Sequence, residues 1–125
     1  MRLLLDTHTL LWWLFDLPPL GRRARALIAA ETVLVSAVSA AEIAIKSALG
    51  KLQAPDDLEQ QIDAHGFTPL PLHVRHALGL AGLPPHHRDP FDRLLIAQAR
   101  DEGLTILTAD GVFGRYEVPT IDAGP

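Results

Sequence analysis

Four carboxylates stand at positions from which they could act together. Asp6 ends the apolar stretch RLLL, Glu42 lies in SAAE, Asp92 in DPFD, and Asp110 in LTAD. Carboxylates that converge in one cleft repel each other, so they must take up a proton or hold a cation. Oxygen ligands suit Mg²⁺ or Mn²⁺ better than zinc. A divalent cation held there would polarise a phosphodiester and lower the pKa of an attacking water, which is the chemistry of a nuclease.

Two of these acids also fit purely structural roles at the starts of predicted helices. Glu42 completes a capping box with Ser39, three residues before it. Asp89 is a good helix N-cap and Pro90 a good first helical residue, which places Asp92 in the first turn near the positive end of the helix dipole. The four acids together therefore support a functional prediction more strongly than any one of them does alone.

Strand and helix patterns alternate along the chain and would position these acids. Short apolar or β-branched runs predict strands at 2–5, 32–36, 67–72, 104–107 and 118–122. Helical patterns cover 8–16, with Thr7 or Thr9 as cap, 22–31, 39–49, 56–65, 73–81 and 90–102. The predicted fold class is α/β, a three-layer α/β/α sandwich with a short, mainly parallel central sheet of four to five strands.

A parallel sheet would bring the four acids to one edge. Ligands of such sheets bind beyond the carboxyl ends of the strands, where the strand order reverses. Asp6 and Asp110 follow predicted strands, and Glu42 and Asp92 lie in the first turns of predicted helices. Asp110 also fits a simple turn. Asp6 is the hardest to explain structurally, because a carboxylate at the end of an apolar strand loses its hydration unless something pairs with it.

Length and composition set the limits of these predictions. The chain has 125 residues, of which 48 % are hydrophobic, and this predicts one domain over residues 1–125. A net charge of −4 gives no overall basic balance, although a local basic patch can bind nucleic acid on an acidic protein. The absence of cysteine excludes disulfides, and no apolar run is long enough for a membrane span. We expect a cytoplasmic protein without membrane association.

Four stretches in series resemble one family of nucleases. They are LLLDTHTLLWW at 3–13, SAVSAAEIAIKSALGKL at 36–52, HHRDPFDRLLIAQA at 86–99 and LTADGVFGRY at 107–116. Together they resemble the PIN-domain ribonucleases that serve as toxins in VapBC-type (type II) toxin–antitoxin pairs. The resemblance implies endonucleolytic cleavage of RNA that depends on Mg²⁺ or Mn²⁺, a cognate antitoxin as partner, and a homodimer.

The resemblance also implies roles for individual residues. Asp6 and Asp92 would be direct metal ligands, while Glu42 and Asp110 would act through water or at a second metal. Supporting roles fall on Thr7, Ser39, Asp89 and Thr108. Independently of the resemblance, we expect His86 and His87 to border the cleft and contact RNA. Lys46, Arg88 and Arg93 are candidate contacts to RNA phosphate that equally fit ion pairs with the acids. The nucleophile would be a metal-activated water, since no Ser-His or Cys-His arrangement is present.

Two other classes of function stay open. A metal-dependent phosphatase or a receiver-like phosphotransfer domain also places an Asp at the end of the first strand. A haloacid-dehalogenase-type phosphatase needs a second Asp two residues after Asp6, where His8 stands, and a receiver needs an acidic neighbour that Asp6 lacks. A non-catalytic PIN-fold binding module is the other alternative, and the retention of all four acids disfavours it.

Two pairs of residues, one of tryptophans and one of histidines, lead to further predictions. Trp12 and Trp13 are adjacent on a predicted helix, so we expect one in the core and the other exposed as a partner surface. His73 and His76 have the spacing to face together on a helix. A zinc site is disfavoured, because no cysteine and no H-E-x-x-H motif is present.

Overall fold

Five parallel strands form a single sheet. The computed structural model describes all 125 residues. The strands are β1 (Arg2–Leu5), β2 (Thr32–Ser36), β3 (Thr68–Leu70), β4 (Thr105–Thr108) and β5 (Thr120–Asp122). Their order in the sheet is β3-β2-β1-β4-β5, and each neighbouring pair is parallel.

Six α-helices connect or flank the strands. They are α1 (Thr7–Leu14), α2 (Arg22–Ala30), α3 (Ala37–Ala48), α4 (Leu58–Ala64), α5 (Val74–Leu78) and α6 (Pro90–Glu102). Two short 3₁₀ turns cover Gly79–Gly82 and Gly111–Arg115. None of these helices has both the length and the apolar character that crossing a bilayer requires.

The sheet separates two apolar cores. Successive side chains of a strand point to opposite faces, and β1 is buried on both. Leu4 packs in a cluster with residues of α6 such as Leu95, whereas Leu3 and Leu5 pack with residues of α1 and α2 such as Leu10. A helical layer therefore covers each face, and the predicted three-layer α/β/α class is confirmed.

The strand order reverses at β1. The chain adds β2 and then β3 on one side of β1, and afterwards β4 and β5 on the other. The backbone N–H of Asp6 donates to the carbonyl of Leu107 at 3.3 Å, so the carboxyl ends of β1 and β4 lie side by side. This is the position at which open parallel sheets bind their ligands.

The first helix begins differently from its prediction. Asp6 is the N-cap of α1, and its Oδ1 accepts the N–H of Thr9 at 2.9 Å. The prediction that Thr7 or Thr9 caps this helix is therefore wrong. The strand runs into the helix without a loop, so the residue at the junction has to accept the free N–H groups of the first turn.

The third helix also begins earlier than predicted. Ser36, the last residue of β2, is the N-cap, and its Oγ accepts the N–H of Val38 at 2.9 Å. Ser39 consequently lies inside α3, and the predicted capping box of Ser39 with Glu42 is wrong. The pattern was compatible with both starts, and the direct junction between β2 and α3 selects the earlier one.

The helix α6 has the predicted bounds. The Oδ1 atom of Asp89 accepts the N–H groups of Phe91 and Asp92 at 2.8 and 3.0 Å, and Pro90 is the first helical residue. Gly103 ends the helix in the left-handed conformation, with φ of 67°. The predicted cap at Asp89 is confirmed.

Other elements are shorter than their patterns suggested. The structure starts α4 at Leu58, continues α5 as a 3₁₀ turn after Leu78, and restricts β3 to three residues. Trp12 and Trp13 are both half-buried against the core that contains Leu10, so the expectation of one core and one exposed tryptophan is wrong. The sequence pattern did not reveal the second apolar core, which is built from α1, α2 and α4 and is large enough for both rings.

Candidate metal centre

Asp6 is a buried carboxylate at the point where the strand order reverses. Its side chain receives a hydrogen bond at each oxygen, from the Thr9 N–H at Oδ1 and from the Thr108 hydroxyl at Oδ2, 2.5 Å away. Burial raises the pKa of Asp6, and these hydrogen bonds offset the rise in part. The donors fix the orientation of the carboxylate but bring no positive charge to it.

Glu42 is almost completely buried on α3 and is only half satisfied. It is 2 % exposed, and its Oε2 forms an ion pair with Lys46, one turn further along the helix. Its Oε1 has no hydrogen-bond partner. Because buried carboxylate oxygens are nearly always paired, this atom requires a partner that the chain does not supply.

A buried hydrogen bond joins the helices that carry the two deepest acids. The Thr7 hydroxyl donates to Ser39 Oγ at 3.0 Å, and both residues are buried. Thr7 follows Asp6 directly, and Ser39 lies one turn before Glu42. The pair therefore holds α1 and α3 in a fixed relation below the carboxylates, which is a supporting role consistent with the one predicted.

The pKa of Asp92 indicates that the acids lie close to one another. This pKa is raised to about 8, first by burial and then by the negative charges of Asp89, Asp6, Glu42 and Asp110. Burial is the larger cause, and the contributions of the four acids indicate that they lie near Asp92, because a like charge raises the pKa of a carboxyl group mainly at short range. The structure thus brings the four acids singled out in the sequence into one cleft, together with the capping Asp89.

Asp110 lies at the more open side of the cleft. Its Oδ1 caps the following 3₁₀ turn by accepting the N–H of Val112 at 2.9 Å, and its own N–H donates to Thr108 Oγ1 at 3.0 Å. Its side chain is 41 % exposed. Thr108 therefore contacts both Asp6 and the backbone of Asp110, which couples the ends of β1 and β4.

His87, which was predicted to border the cleft, contacts two of its acids. Its Nε2 lies 2.9 Å from Asp92 Oδ2 and 3.1 Å from Asp110 Oδ2. From the sequence, His87 was expected at the border of the cleft as a candidate RNA contact, and its contacts with Asp92 and Asp110 were not predicted. No periodicity governs the loop before α6, so the sequence offered only its closeness to Asp89 as a signal.

The residues of the cleft fit a hard divalent cation. The donors are carboxylate oxygens, one of which is buried without a partner on Glu42. A cation would also relieve the mutual repulsion that raises the pKa of Asp92. Oxygen-rich donor sets favour Mg²⁺ and Mn²⁺. Ligand atoms of His87, Asp92 and Asp110 lie within 4.8 Å of one another and could hold such an ion, and Asp6 and Glu42 line the same cleft.

Of the other candidate RNA contacts, two form polar contacts within the chain and two have exposed side chains. Lys46 pairs with Glu42 and lies 5.9 Å from the centre of the Phe91 ring. The guanidinium of Arg93 donates to backbone carbonyls of the preceding loop, including that of Pro84 at 3.0 Å. These contacts favour the structural interpretation of both residues. His86 and Arg88 are exposed, and the His86 ring packs edge-on against Tyr116 with the ring centres 5.2 Å apart.

A second histidine–acid cluster lies away from the cleft. The rings of His73 and His76 face each other at 5.2 Å, as their spacing predicted. His76 is fully buried, its Nδ1 accepts the N–H of His73, and its Nε2 lies 2.9 Å from Glu102 Oε1. Arg75 pairs with Asp101 and the same Glu102. This network attaches α5 to α6.

Comparison with known proteins identifies the class to which the fold and the cleft belong. The family model of the PIN domain matches residues 3–119, so the chain belongs to the PIN-domain family. A comparison of the sequence with curated proteins gives no match.

Solved structures share the fold over nearly the whole chain. VapBC2 from Rickettsia felis bound to a DNA fragment from its promoter matches with a TM-score of 0.68 and 16 % identity, covering 97 % of this chain and 98 % of the other. FitAcB from Neisseria gonorrhoeae matches with a TM-score of 0.67 and 20 % identity, covering 97 % of each. A toxin–antitoxin complex from Klebsiella pneumoniae matches with a TM-score of 0.64 and 18 % identity, covering 96 % of each.

Proposed function

We propose that this protein is a Mg²⁺- or Mn²⁺-dependent endoribonuclease. The observation that carries the proposal is a group of carboxylates at the ligand-binding edge of the sheet, where Asp92 and Asp110 both lie within 3.1 Å of one His87 nitrogen and one oxygen of the buried Glu42 has no partner. Such a cleft is unfavourable for anionic RNA until a cation is present. Membership of the PIN-domain family supports the same activity.

The chain's own residues have separable roles in this proposal. Asp6 and Asp92 hold the cation directly, and Asp6 is oriented for this by Thr108 and the N–H of Thr9. Glu42 acts at the cation directly or through water, with Lys46 balancing its other oxygen. The bound cation supplies Lewis-acid activation of the phosphodiester and of the attacking water.

We further infer that RNA approaches over the open side of the cleft. Asp110 lies there, and His86 and Arg88, the two sequence neighbours of His87, have exposed side chains. These two side chains form no ion pair within the chain, so they are free to contact RNA phosphates. The net charge of −4 makes such a local contribution necessary.

The biological role that we propose is that of a toxin controlled by an antitoxin. The Klebsiella structure is a toxin–antitoxin complex, and the Rickettsia structure is VapBC2 with promoter DNA. By analogy, this chain would bind a cognate antitoxin and form a homodimer in the cytoplasm. Growth arrest on induction that is lost in Asp92→Ala, and relieved by co-expression of the neighbouring antitoxin frame, is the expected result.

Cleavage of RNA by the purified chain tests the enzymatic proposal. Wild type should cut single-stranded RNA with Mg²⁺ or Mn²⁺ and lose the activity in EDTA. Asp6→Asn should lower the rate by at least about 100-fold, because the charge of a direct ligand is lost while the size of the side chain is kept. Asp63→Asn, at an exposed site on α4, is the matched control and should cut as wild type does. Equal activity in the Asp6→Asn protein would refute the proposal.

A further inference from the structure

One face of α1 carries three ring side chains and begins at the cleft. Asp6 is the N-cap of this helix, and His8, Trp12 and Phe15 follow at spacings of four and three residues. Residues at these spacings lie on one face of a helix, and their side chains lean towards its N-terminus. His8 and Phe15 are exposed, and Trp12 is half-buried. These three residues, which we call the α1 stripe, therefore lead away from the acids.

The rings of the stripe are not used up by contacts within the chain. The ring centres of His8 and Trp12 are 6.2 Å apart and the planes are inclined at 48°, so neither ring covers the face of the other. Trp13 differs, because its ring lies edge-on to His65 and its Nε1 donates to His65 Nδ1 at 3.4 Å. Trp12 packs partly against the core that contains Leu10, which holds the ring in place while leaving part of it accessible.

Free arginines lie at the far end of the stripe. Arg25 of α2 donates to Asp16 Oδ1 at 2.5 Å and to the carbonyl of Leu17 at 2.7 Å, so the start of α2 lies against the end of α1. Arg22 and Arg23 occupy the first turn of α2, are exposed and form no ion pair within the chain. Their guanidinium groups are therefore available to an anionic ligand.

Accessible rings between an acidic cleft and free arginines fit a single strand of nucleic acid. Unpaired bases stack on aromatic faces, and the phosphates that join them attract arginine. Exposed apolar side chains elsewhere on the helices, such as Ile45 of α3 and Val74 of α5, are aliphatic and offer no such face. The bases of a duplex are already stacked on each other, so the stripe would distinguish a single strand from a duplex.

We propose that the α1 stripe stacks on unpaired bases of the RNA as the strand leaves the cleft, and that Arg22 and Arg23 contact its phosphates. This inference rests on the proposed function and names its substrate class, single-stranded RNA. The helix rises about 10 Å from His8 to Phe15, which is long enough for more than one base. The stripe continues directly from the capping Asp6, so a strand held in the cleft reaches the first ring at once.

Binding of RNA to a chain in which cleavage is prevented tests the stacking. Full-length Asp92→Asn, the parent in this experiment, is titrated in Mg²⁺ with labelled oligouridylate, single-stranded or paired with oligoadenylate, and fluorescence anisotropy measures affinity. The single strand should bind more tightly than the duplex. Trp12→Leu, which keeps an apolar side chain against the core, should weaken single-strand binding by about tenfold and leave duplex binding unchanged. Val74→Ala, at an exposed apolar site on α5, is the matched control and should bind as the parent does.

Two further variants separate stacking from a merely structural role. Trp12→Phe keeps a ring and should bind the single strand within about threefold of the parent. RNA should quench tryptophan fluorescence in the parent but not in Trp12→Phe, because the remaining Trp13 faces His65. Should Trp12→Leu fail to fold, His8→Ala at an exposed site should weaken single-strand binding without changing the melting temperature.

Salt dependence tests the part given to the arginines. Arg22→Gln/Arg23→Gln should reduce the slope of log affinity against log salt concentration by about 1, because two phosphate contacts are lost. Arg100→Gln, at an exposed position near the end of α6, is the matched control and should leave the slope unchanged. An unchanged slope in the double variant would remove Arg22 and Arg23 from the RNA path.

Separate outcomes would overturn this inference and the proposed function. Equal single-strand affinity of the parent, Trp12→Leu and His8→Ala would overturn the role of the stripe, and so would equal affinity for single strand and duplex. Loss of a dimer in Trp12→Leu, seen by light scattering with RNA affinity unchanged, would make the stripe a protein interface and overturn the inference. All three leave a metal-dependent nuclease possible. Failure of wild type to cleave RNA would overturn the proposed function and leave the stripe as a binding site for single-stranded RNA.

Discussion

At the scale of single residues, Asp92 is the group whose chemistry depends most on its surroundings. It lies in the first turn of α6, where the helix dipole favours a carboxylate. Burial and four neighbouring acids nevertheless raise its pKa to about 8. Without a cation, Asp92 therefore retains a proton near neutral pH.

This raised pKa predicts how the stability of the metal-free protein depends on pH. The pKa of Asp92 is about 8 in the folded chain and near its ordinary value of 3.8 in the unfolded chain. Between these values the native state binds more protons than the unfolded state, so stability falls as pH rises. The slope is at most about 1.4 kcal/mol per pH unit.

Denaturant unfolding in EDTA across this pH range measures the effect. Asp92→Asn keeps the shape of the side chain but cannot ionise, so its stability should decline less with pH than that of wild type. If the free energy of unfolding changed with pH between pH 5 and pH 8 in the same way in wild type and in Asp92→Asn, the raised pKa assigned to Asp92 would be contradicted.

At the scale of elements, the start of α6 contains one residue with a structural role, Asp89, and one with a proposed functional role, Asp92. Asp89 caps α6 by accepting two N–H groups. Asp89→Ala should lower the free energy of unfolding by about 1 kcal/mol, whereas Asp89→Asn should stay close to wild type because asparagine caps equally well. Thermal denaturation of both variants measures this, and equal losses would mean that charge and not capping matters.

Arg88, in the loop before α6, and Arg93, in the first turns of α6, form a matched pair of arginines. Arg93 donates to loop carbonyls, so Arg93→Ala should destabilise the protein by about 1–3 kcal/mol through lost charge-assisted hydrogen bonds. Arg88 is exposed and unpaired, so Arg88→Ala should weaken RNA binding and leave the melting temperature unchanged. RNA affinity and thermal melting of both variants check the assignment, and the reverse pattern would contradict it.

Elements that carry their own boundary signals were predictable from the sequence. Asp89, Pro90 and Gly103 mark both ends of α6, and the predicted and observed bounds agree. The starts of α1 and α3 were not predictable, because each helix follows its strand without a loop and takes its cap from the strand's end. Pattern rules look for a cap within the helix, where Thr7 and Ser39 offered false ones.

The acids of the cleft were predictable and the contacts among them were not. Alternating strands and helices placed Asp6, Glu42, Asp92 and Asp110 at one edge of a parallel sheet. The approach of His87 depends on a loop that is fixed by Tyr116 and Arg93, from other parts of the chain. Such long-range contacts leave no local pattern in the sequence.

At the scale of the whole molecule, the cation and the fold are linked. A ligand that binds only the native state stabilises it by about 2.7 kcal/mol at 100 times its dissociation constant. Mn²⁺ should therefore raise the melting temperature of wild type and should have little effect on Asp6→Asn. Scanning calorimetry with and without Mn²⁺ measures the difference, and an equal rise in both proteins would place the ion elsewhere.

The origin of the oxygen in the cleavage product tests the central claim most directly. RNA is cut by the Mn²⁺-loaded chain in water labelled with oxygen-18, under single-turnover conditions, and the fragments are analysed by mass spectrometry. A metal-activated water predicts one labelled oxygen in a linear phosphate at the new end, with no labelled product from Asp6→Asn. Fragments ending in an unlabelled 2′,3′-cyclic phosphate would show attack by the ribose hydroxyl and would contradict the account.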